Sequence, residues 1–158
     1  MSLRFNGVFG PVVSTFKRDS GDVDCAAFSE NVKAHIAAGE LGVVVCGSTG
    51  EAALLSEGER FELLEAARRN VPTDRLVLMG TGAESTRLTV RRCHEAQTIG
   101  ADAVLVVAPH YYSNAMSVDA LRAHYTKVAD ESPIPVLLYN IPKYMHFKLA
   151  PELVAELA

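Results

Sequence analysis

Short apolar runs rich in β-branched residues recur along the chain, and segments with helical periodicity separate them. The apolar runs cover residues 7–14, 42–46, 76–79, 103–107 and 134–138. Each run predicts a buried strand of a parallel sheet. The periodic segments, which predict helices, cover residues 25–38, 57–70, 86–99 and 118–130. This alternation of strand and helix is typical of an α/β protein.

Capping residues support the helix assignments. The residues placed to cap the N-termini are Asp24, Ser56, Ser85 and Ser117. Glu59 completes an S-x-x-E capping box for the second helix. Gly39 and Gly100 end the first and third helices, as glycine commonly does. Pro151 opens a fifth helix near the C-terminus.

The spacing of the predicted strands bears on the architecture. Successive strands lie about 30 residues apart, which matches ~250 residues divided among the eight βα units of a TIM barrel. A doubly wound sheet of five strands would also fit this length and alternation. Periodicity alone leaves both architectures open, within a single α/β domain.

The segment 47–51, Gly-Ser-Thr-Gly-Glu, follows the second predicted strand. Its two glycines allow a tight turn with exposed N–H groups, and Ser48 and Thr49 can donate hydrogen bonds to a small anion such as a carboxylate. In a parallel α/β protein the functional site lies at the carboxyl ends of the strands. The segment is therefore either an anion-binding loop or an ordinary βα turn.

The third predicted strand is followed by Gly-Thr-Gly-Ala-Glu-Ser at 80–85. It begins like the dinucleotide-binding pattern G-x-G-x-x-G, but Ser85 stands where the last glycine belongs, and no P-loop pattern occurs in the chain. We favour a barrel loop whose small residues give room to a substrate, and a nucleotide-binding domain is the weaker alternative.

Tyrosines follow the fourth and fifth predicted strands. Tyr112 lies in Pro-His-Tyr-Tyr-Ser-Asn at 109–114, and Tyr139 lies in Leu-Tyr-Asn-Ile-Pro at 138–142. Their hydroxyls could transfer protons, or the rings could pack at an interface or a core edge, and composition alone favours packing. We interpret His110 and His146 as loop or packing residues.

Charge and composition narrow the function classes. The net charge of -4, without a basic run, predicts no nucleic-acid partner. The apolar runs are shorter than the ~20 residues of a transmembrane helix, and the N-terminus lacks a secretory signal pattern, so we expect a cytoplasmic enzyme. Three widely spaced cysteines and five histidines without ligand spacing predict neither disulfide framework nor metal site.

Taken together, these loops resemble the dihydrodipicolinate synthase and N-acetylneuraminate lyase family. The resemblance covers nearly the whole chain and rests on motifs at 10–12, 47–51, 80–86, 109–112 and 139–142, with Thr15 near the start. Within the family, residues 82–86, 124–130 and 132–135 are most similar to the 4-hydroxy-2-oxoglutarate aldolases. The resemblance implies a (β/α)8 barrel, of which residues 1–158 hold about the first five βα units.

The resemblance also implies a class I aldolase mechanism. In this family a lysine amine forms an imine with pyruvate or a pyruvyl substrate, and neither metal nor organic cofactor is needed. Tyr139 matches the tyrosine that relays protons near the imine. Gly47, Ser48 and Thr49 match the loop that holds the substrate carboxylate. Tyr112 matches the tyrosine that completes the relay of a neighbouring subunit, so a homo-oligomer is implied, either a dimer or a tetramer built from two dimers.

Three departures from the family pattern affect this interpretation. Ser48 stands where the synthases usually have threonine, which is a mild change. Tyr144 stands at the position of a substrate-binding arginine of the synthases, which argues against dihydrodipicolinate synthesis. The Schiff-base lysine belongs on the sixth strand, after Ala158, and neither Lys143 nor Lys148 matches it. An inactive fragment or pseudoenzyme half-barrel that acts only in assembly is therefore the alternative to a 2-oxo acid aldolase.

Overall fold

The computed structural model describes residues 5–158 and contains two compact units. The first comprises the described residues up to Gly80 together with Ile99–Asp102. The second comprises Thr81–Thr98 and Ala103–Ala158. The start of the sequence, residues 1–4, lies outside the described part of the chain.

The first unit holds three parallel strands and two helices. In chain order its elements are β1 (Phe9–Pro11), α1 (Cys25–Ala37), β2 (Gly42–Val45), α2 (Glu57–Asn70) and β3 (Leu76–Gly80). Strand β2 pairs in parallel with β1 and with β3. The core of this unit is apolar and includes Phe28, Val32, Val43, Leu63, Leu64 and Val77. Burial of such side chains is the main stabilising term for a unit of this kind.

The second unit has the same βα organisation. Its elements are α3 (Thr86–Ile99), β4 (Ala103–Val107), α4 (Val118–Glu131), β5 (Val136–Tyr139), α5 (Pro142–Met145) and α6 (Pro151–Leu157). A 3-10 turn covers Ser113–Ala115. Strands β4 and β5 are parallel, with Val107 opposite Tyr139. Parallel neighbours in chain order within each unit are what the strand spacing predicted.

The predicted capping contacts are present. The Asp24 carboxylate accepts hydrogen bonds from the N–H groups of residues 26 and 27. Ser56 and Glu59 form the reciprocal capping box. The hydroxyls of Ser85 and Ser117 accept from N–H groups in the first turns of α3 and α4. These local contacts fix where the helices begin, which explains why α2 and α3 have the bounds that the sequence predicted.

Two strand predictions need correction. The first strand was predicted over 7–14 but covers only Phe9–Pro11. The Val12 N–H still donates to the Val44 carbonyl of β2. From Ser14 onward the chain has other partners, because Ser14 donates to the Gly50 carbonyl and Thr15 donates to the Asp24 carbonyl. The fifth strand was predicted over 134–138 but covers Val136–Tyr139. Pro135, which has no N–H, delays its start.

A short helix was also missed. The predicted elements include no helix between the fifth strand and Pro151, but α5 begins at Pro142 and ends before His146. Proline is favoured at the first position of a helix, and His146 ends the turn with a φ of 63°. A single turn is too short to show helical periodicity, so hydrophobic patterning does not predict it.

Candidate functional site

The Gly-Ser-Thr-Gly-Glu segment forms a compact turn directly after β2. The Gly50 N–H donates to the Gly47 carbonyl at 3.1 Å, and the Glu51 N–H donates to the Ser48 carbonyl at 3.2 Å. Gly47 and Gly50 are buried, whereas Ser48 and Thr49 are exposed. The turn therefore presents two adjacent hydroxyl-bearing residues on the outside of a buried backbone.

Two residues, one before this turn and one at its end, have an uncommon backbone conformation. Cys46 has a φ of 52°, and Glu51 has a φ of 54°. Residues other than glycine seldom adopt this left-handed region, which costs on the order of 1–3 kcal/mol and persists only where the surroundings enforce it. The Cys46 carbonyl lies against the end of β3, because a Cβ at Gly80 would be 2.0 Å from its oxygen. Only glycine at position 80 permits this approach.

Ser14 anchors the turn from the β1 side. Its buried hydroxyl donates to the Gly50 carbonyl at 2.6 Å. A Cβ at Gly50 would lie 3.0 Å from the Val12 carbonyl oxygen. The segment that follows β1 thus presses against the middle of the turn, and little space remains for it to shift.

Arg60 on α2 supplies a further anchor, which the sequence analysis missed. Its side chain is 2% exposed. The guanidinium donates to the Ala52 carbonyl at 3.0 Å and also to the Gly80 carbonyl. It thereby ties the end of the turn to the end of β3. A signal existed, since Arg60 falls at helical spacing with the buried Leu63 and Leu64, where an apolar residue would be expected.

The tyrosine-bearing segment after β4 lies in the second unit. Tyr111 and Tyr112 are 77% and 71% exposed. Their rings meet edge to face with centroids 4.9 Å apart. His110 contacts the Glu84 carboxylate and the Ala108 carbonyl through Nδ1, at 3.3 Å and 3.1 Å. His110 is thus a loop residue, as predicted.

Tyr139 is the last residue of β5 and is half-buried. The chain after it folds back, because the Asn140 side-chain oxygen accepts a hydrogen bond from the Leu149 N–H at 3.2 Å. Lys143 and Lys148 are both exposed. The Lys143 ammonium lies 5.4 Å from the centroid of the Tyr144 ring. Such long cationic side chains keep their charged ends in water.

The buried titratable groups of the second unit are structural. Burial raises the pKa of the Cys93 thiol, which lies 3.4 Å from the Thr81 hydroxyl. Burial lowers the pKa of His124, whose Nδ1 lies 2.9 Å from the Thr86 hydroxyl oxygen. Tyr125 donates to the Val106 carbonyl at 3.3 Å, and burial raises its pKa. All three are therefore neutral near pH 7.

The predicted site residues lie at the carboxyl ends of strands. Gly47, Ser48 and Thr49 follow β2 in the first unit, while Tyr112 follows β4 and Tyr139 ends β5 in the second unit. Among residues 5–158, no three His, Cys, Asp or Glu side chains cluster as metal ligands would. No helix in this same part of the chain has the length and apolarity to cross a bilayer.

Comparisons with known proteins agree with this organisation. Residues 4–158 match the Dihydrodipicolinate synthetase family. The 4-hydroxy-tetrahydrodipicolinate synthase of Methanospirillum hungatei is 39% identical over 155 residues, which cover 98% of this chain and 52% of the relative. A protein of Emericella nidulans, named a probable mitochondrial 4-hydroxy-2-oxoglutarate aldolase, is 42% identical over 140 residues, 86% of this chain and 45% of the relative.

Solved structures of the family superpose on the chain. The Escherichia coli prophage protein YagE, solved with pyruvate, has a TM-score of 0.90 at 34% identity, covering 97% of this chain and 50% of its own. The dihydrodipicolinate synthase of Acinetobacter baumannii, also with pyruvate, has a TM-score of 0.89 at 32% identity, covering 96% and 51%.

The chain spans about half the length of the curated relatives it matches, 52% in the case of the M. hungatei synthase. Its parallel βα units and the superpositions show the TIM (β/α)8-barrel family fold, with about the first five βα units present. The doubly wound alternative is set aside. With a match over residues 4–158, the chain belongs to the dihydrodipicolinate synthetase family.

Proposed function

We propose that these residues are part of a Schiff-base-forming, pyruvate-dependent aldolase that acts on a 2-oxo acid. The observation that carries the proposal is the position of Tyr139 at the carboxyl end of β5. The anchored Gly-Ser-Thr-Gly-Glu turn occupies the same end of β2. In barrel enzymes this end of the strands carries the chemistry. The chain belongs to a family of this kind, and the hydroxyl-bearing residues at these strand ends are of the type that the aldolase reaction needs.

Each site residue has a proposed role. The hydroxyls of Ser48 and Thr49 and the N–H groups around Gly47 bind the substrate carboxylate, and Thr49 also passes protons. Tyr139 transfers protons to and from the reacting carbons through its hydroxyl. Tyr112, whose ring is 71% exposed, reaches the site of a neighbouring copy in a homo-oligomer, either a dimer or a tetramer.

The covalent step needs a neutral amine beside Tyr139. The amine adds to the keto carbon of the 2-oxo acid and water leaves, so that a protonated imine forms. This imine accepts the electron pair when the carbon-carbon bond breaks, and the resulting enamine is then protonated and hydrolysed. Lys143 and Lys148 are exposed, whereas an amine that forms an imine has to be withdrawn from water. We therefore assign the amine to a lysine of the sixth strand, after Ala158.

The substrate we favour is 4-hydroxy-2-oxoglutarate. Tyr144, 47% exposed on α5, stands where the synthases of the family have a carboxylate-binding arginine. Tyrosine lacks the guanidinium of that arginine, which argues against the synthase reaction. Residues 82–86, 124–130 and 132–135 are most similar to the 4-hydroxy-2-oxoglutarate aldolases. Cleavage between carbons 3 and 4 of this substrate yields glyoxylate and the pyruvate enamine, which releases pyruvate after protonation and hydrolysis.

A substrate comparison on the full-length gene product tests this assignment. Pyruvate release from 4-hydroxy-2-oxoglutarate, followed by its reduction with NADH in a coupled assay, should exceed the rate of 4-hydroxy-tetrahydrodipicolinate formation. A faster synthase reaction would assign the protein to the synthases instead. Absence of both reactions would favour an inactive half-barrel or pseudoenzyme that acts only in assembly.

A further inference from the structure

Glu84, in the segment between β3 and α3, makes contacts that the aldolase roles above do not use. Its Oε2 accepts hydrogen bonds from the backbone N–H groups of His110 and Tyr111, at 3.0 Å and 2.9 Å. Its Oε1 lies 3.3 Å from the Nδ1 of His110. One carboxylate therefore holds two successive N–H groups of the segment that leads to Tyr112.

The backbone that carries Glu84 is itself fixed. The Ala83 N–H donates to the buried Thr89 hydroxyl at 3.1 Å, and Arg92 donates to the Gly82 carbonyl at 2.8 Å. A Cβ at Gly82 would lie 2.6 Å from the Val107 carbonyl oxygen, so the loop runs closely against the end of β4. Glu84 thus projects from an anchored loop toward a segment with fewer anchors of its own.

The segment it holds has few other constraints near Tyr112. The rings of Tyr111 and Tyr112 are mostly exposed and contact each other edge to face. After Tyr112 the chain enters the 3-10 turn, in which the Ala115 N–H donates to the Tyr112 carbonyl at 2.8 Å. Charge-assisted hydrogen bonds from a carboxylate to N–H groups are stronger than neutral ones. The backbone conformation at residues 110 and 111 determines the direction in which the Tyr112 side chain projects.

We infer that Glu84 is a positioning residue for Tyr112, an inference that rests on the proposed function. Its carboxylate holds the 110–111 backbone so that the Tyr112 hydroxyl stands at a fixed height above the end of β4. A misplacement of about 1 Å at a reacting group can lower a rate about 100-fold. The contact thereby links the 80–86 and 109–112 motifs in one functional unit.

The test is a double-mutant cycle on the full-length protein. Glu84→Ala should lower kcat about 10- to 100-fold while KM stays near its wild-type value, because the segment loses its orientation. In a Tyr112→Phe background the same change should lower kcat by less than about twofold, since the hydroxyl it positions is already gone. Glu84→Gln keeps an acceptor oxygen and should restore most of kcat. Glu30→Ala, which removes an exposed carboxylate on α1, is the control.

Hydrogen exchange separates this inference from the proposed function. The amides of His110 and Tyr111 should exchange faster in Glu84→Ala than in the wild type, Glu84→Gln or Glu30→Ala, whether or not the protein is an aldolase. Unchanged exchange would overturn the inference. So would an equal kcat loss in the wild-type and Tyr112→Phe backgrounds, or a wild-type kcat for Glu84→Ala. A protein without aldolase activity would contradict the proposed function, and the exchange result would then decide the role of Glu84.

Discussion

Replacing Tyr139 with phenylalanine is expected to lower kcat for pyruvate release about 10²- to 10⁴-fold, the range typical of losing a general acid or base. The substitution removes only the hydroxyl of Tyr139, the last residue of β5, and keeps its aromatic ring. Because the hydroxyl acts in the transition state, KM should change little. Steady-state kinetics with 4-hydroxy-2-oxoglutarate measure both constants.

Tyr125→Phe is the matched control for this prediction. It removes a hydroxyl from a tyrosine that is 1% exposed and donates to the Val106 carbonyl. Loss of that buried hydrogen bond should reduce the free energy of unfolding by about 1 kcal/mol and leave kcat near the wild-type value. Tyr139→Phe should therefore lower kcat, whereas Tyr125→Phe should lower the free energy of unfolding and leave kcat unchanged. A wild-type kcat for Tyr139→Phe would contradict the relay role.

Arg60→Met is expected to reduce the free energy of unfolding by roughly 2–4 kcal/mol, because it leaves the carbonyls of Ala52 and Gly80 without this donor. The same change releases the end of the Gly-Ser-Thr-Gly-Glu turn, so KM for the 2-oxo acid should rise in the folded fraction. Urea denaturation of the full-length protein measures the first effect, and initial rates measure the second.

Arg69→Met tests whether this effect is specific to the buried position. Arg69 lies on the same helix and pairs with Glu65, but its side chain is 65% exposed. Its replacement should change the stability by no more than about 0.5 kcal/mol. Arg60→Lys, which keeps the charge but has no planar fork, should fall between the two. Equal stabilities of the Arg60→Met and Arg69→Met variants would show that the guanidinium does not anchor the turn.

The sequence predicted those elements whose signals are local. The bounds of α2, α3 and β4 followed from a capping serine or from an uninterrupted apolar run. The first strand was overestimated, because an apolar run does not distinguish a paired strand from the partly buried segment after Pro11. The helix α5 was missed because one turn has no measurable period.

The site was predictable only where family motifs mark it. The motifs mark residues at or just after the ends of successive strands. These residues are Gly47, Ser48 and Thr49 after β2, Tyr112 after β4, and Tyr139 at the end of β5. Glu84 was not singled out, because its partners His110 and Tyr111 are 26 and 27 residues away in the chain. The contact between Arg60 and Gly80 spans 20 residues. Contacts of this range depend on tertiary packing, which periodicity and composition do not encode.

Imine trapping tests whether the full-length protein forms a Schiff base with pyruvate. The full-length protein and residues 1–158 alone would each be incubated with pyruvate and borohydride, and tryptic peptides would be analysed by mass spectrometry. The proposed Schiff-base mechanism predicts one reduced pyruvate adduct per full-length chain, on a lysine after Ala158. It predicts none on the short chain, because Lys143 and Lys148 are exposed and an amine that forms the imine has to be withdrawn from water. An adduct near unit stoichiometry on Lys143 or Lys148, or no adduct on the full-length protein, would contradict it.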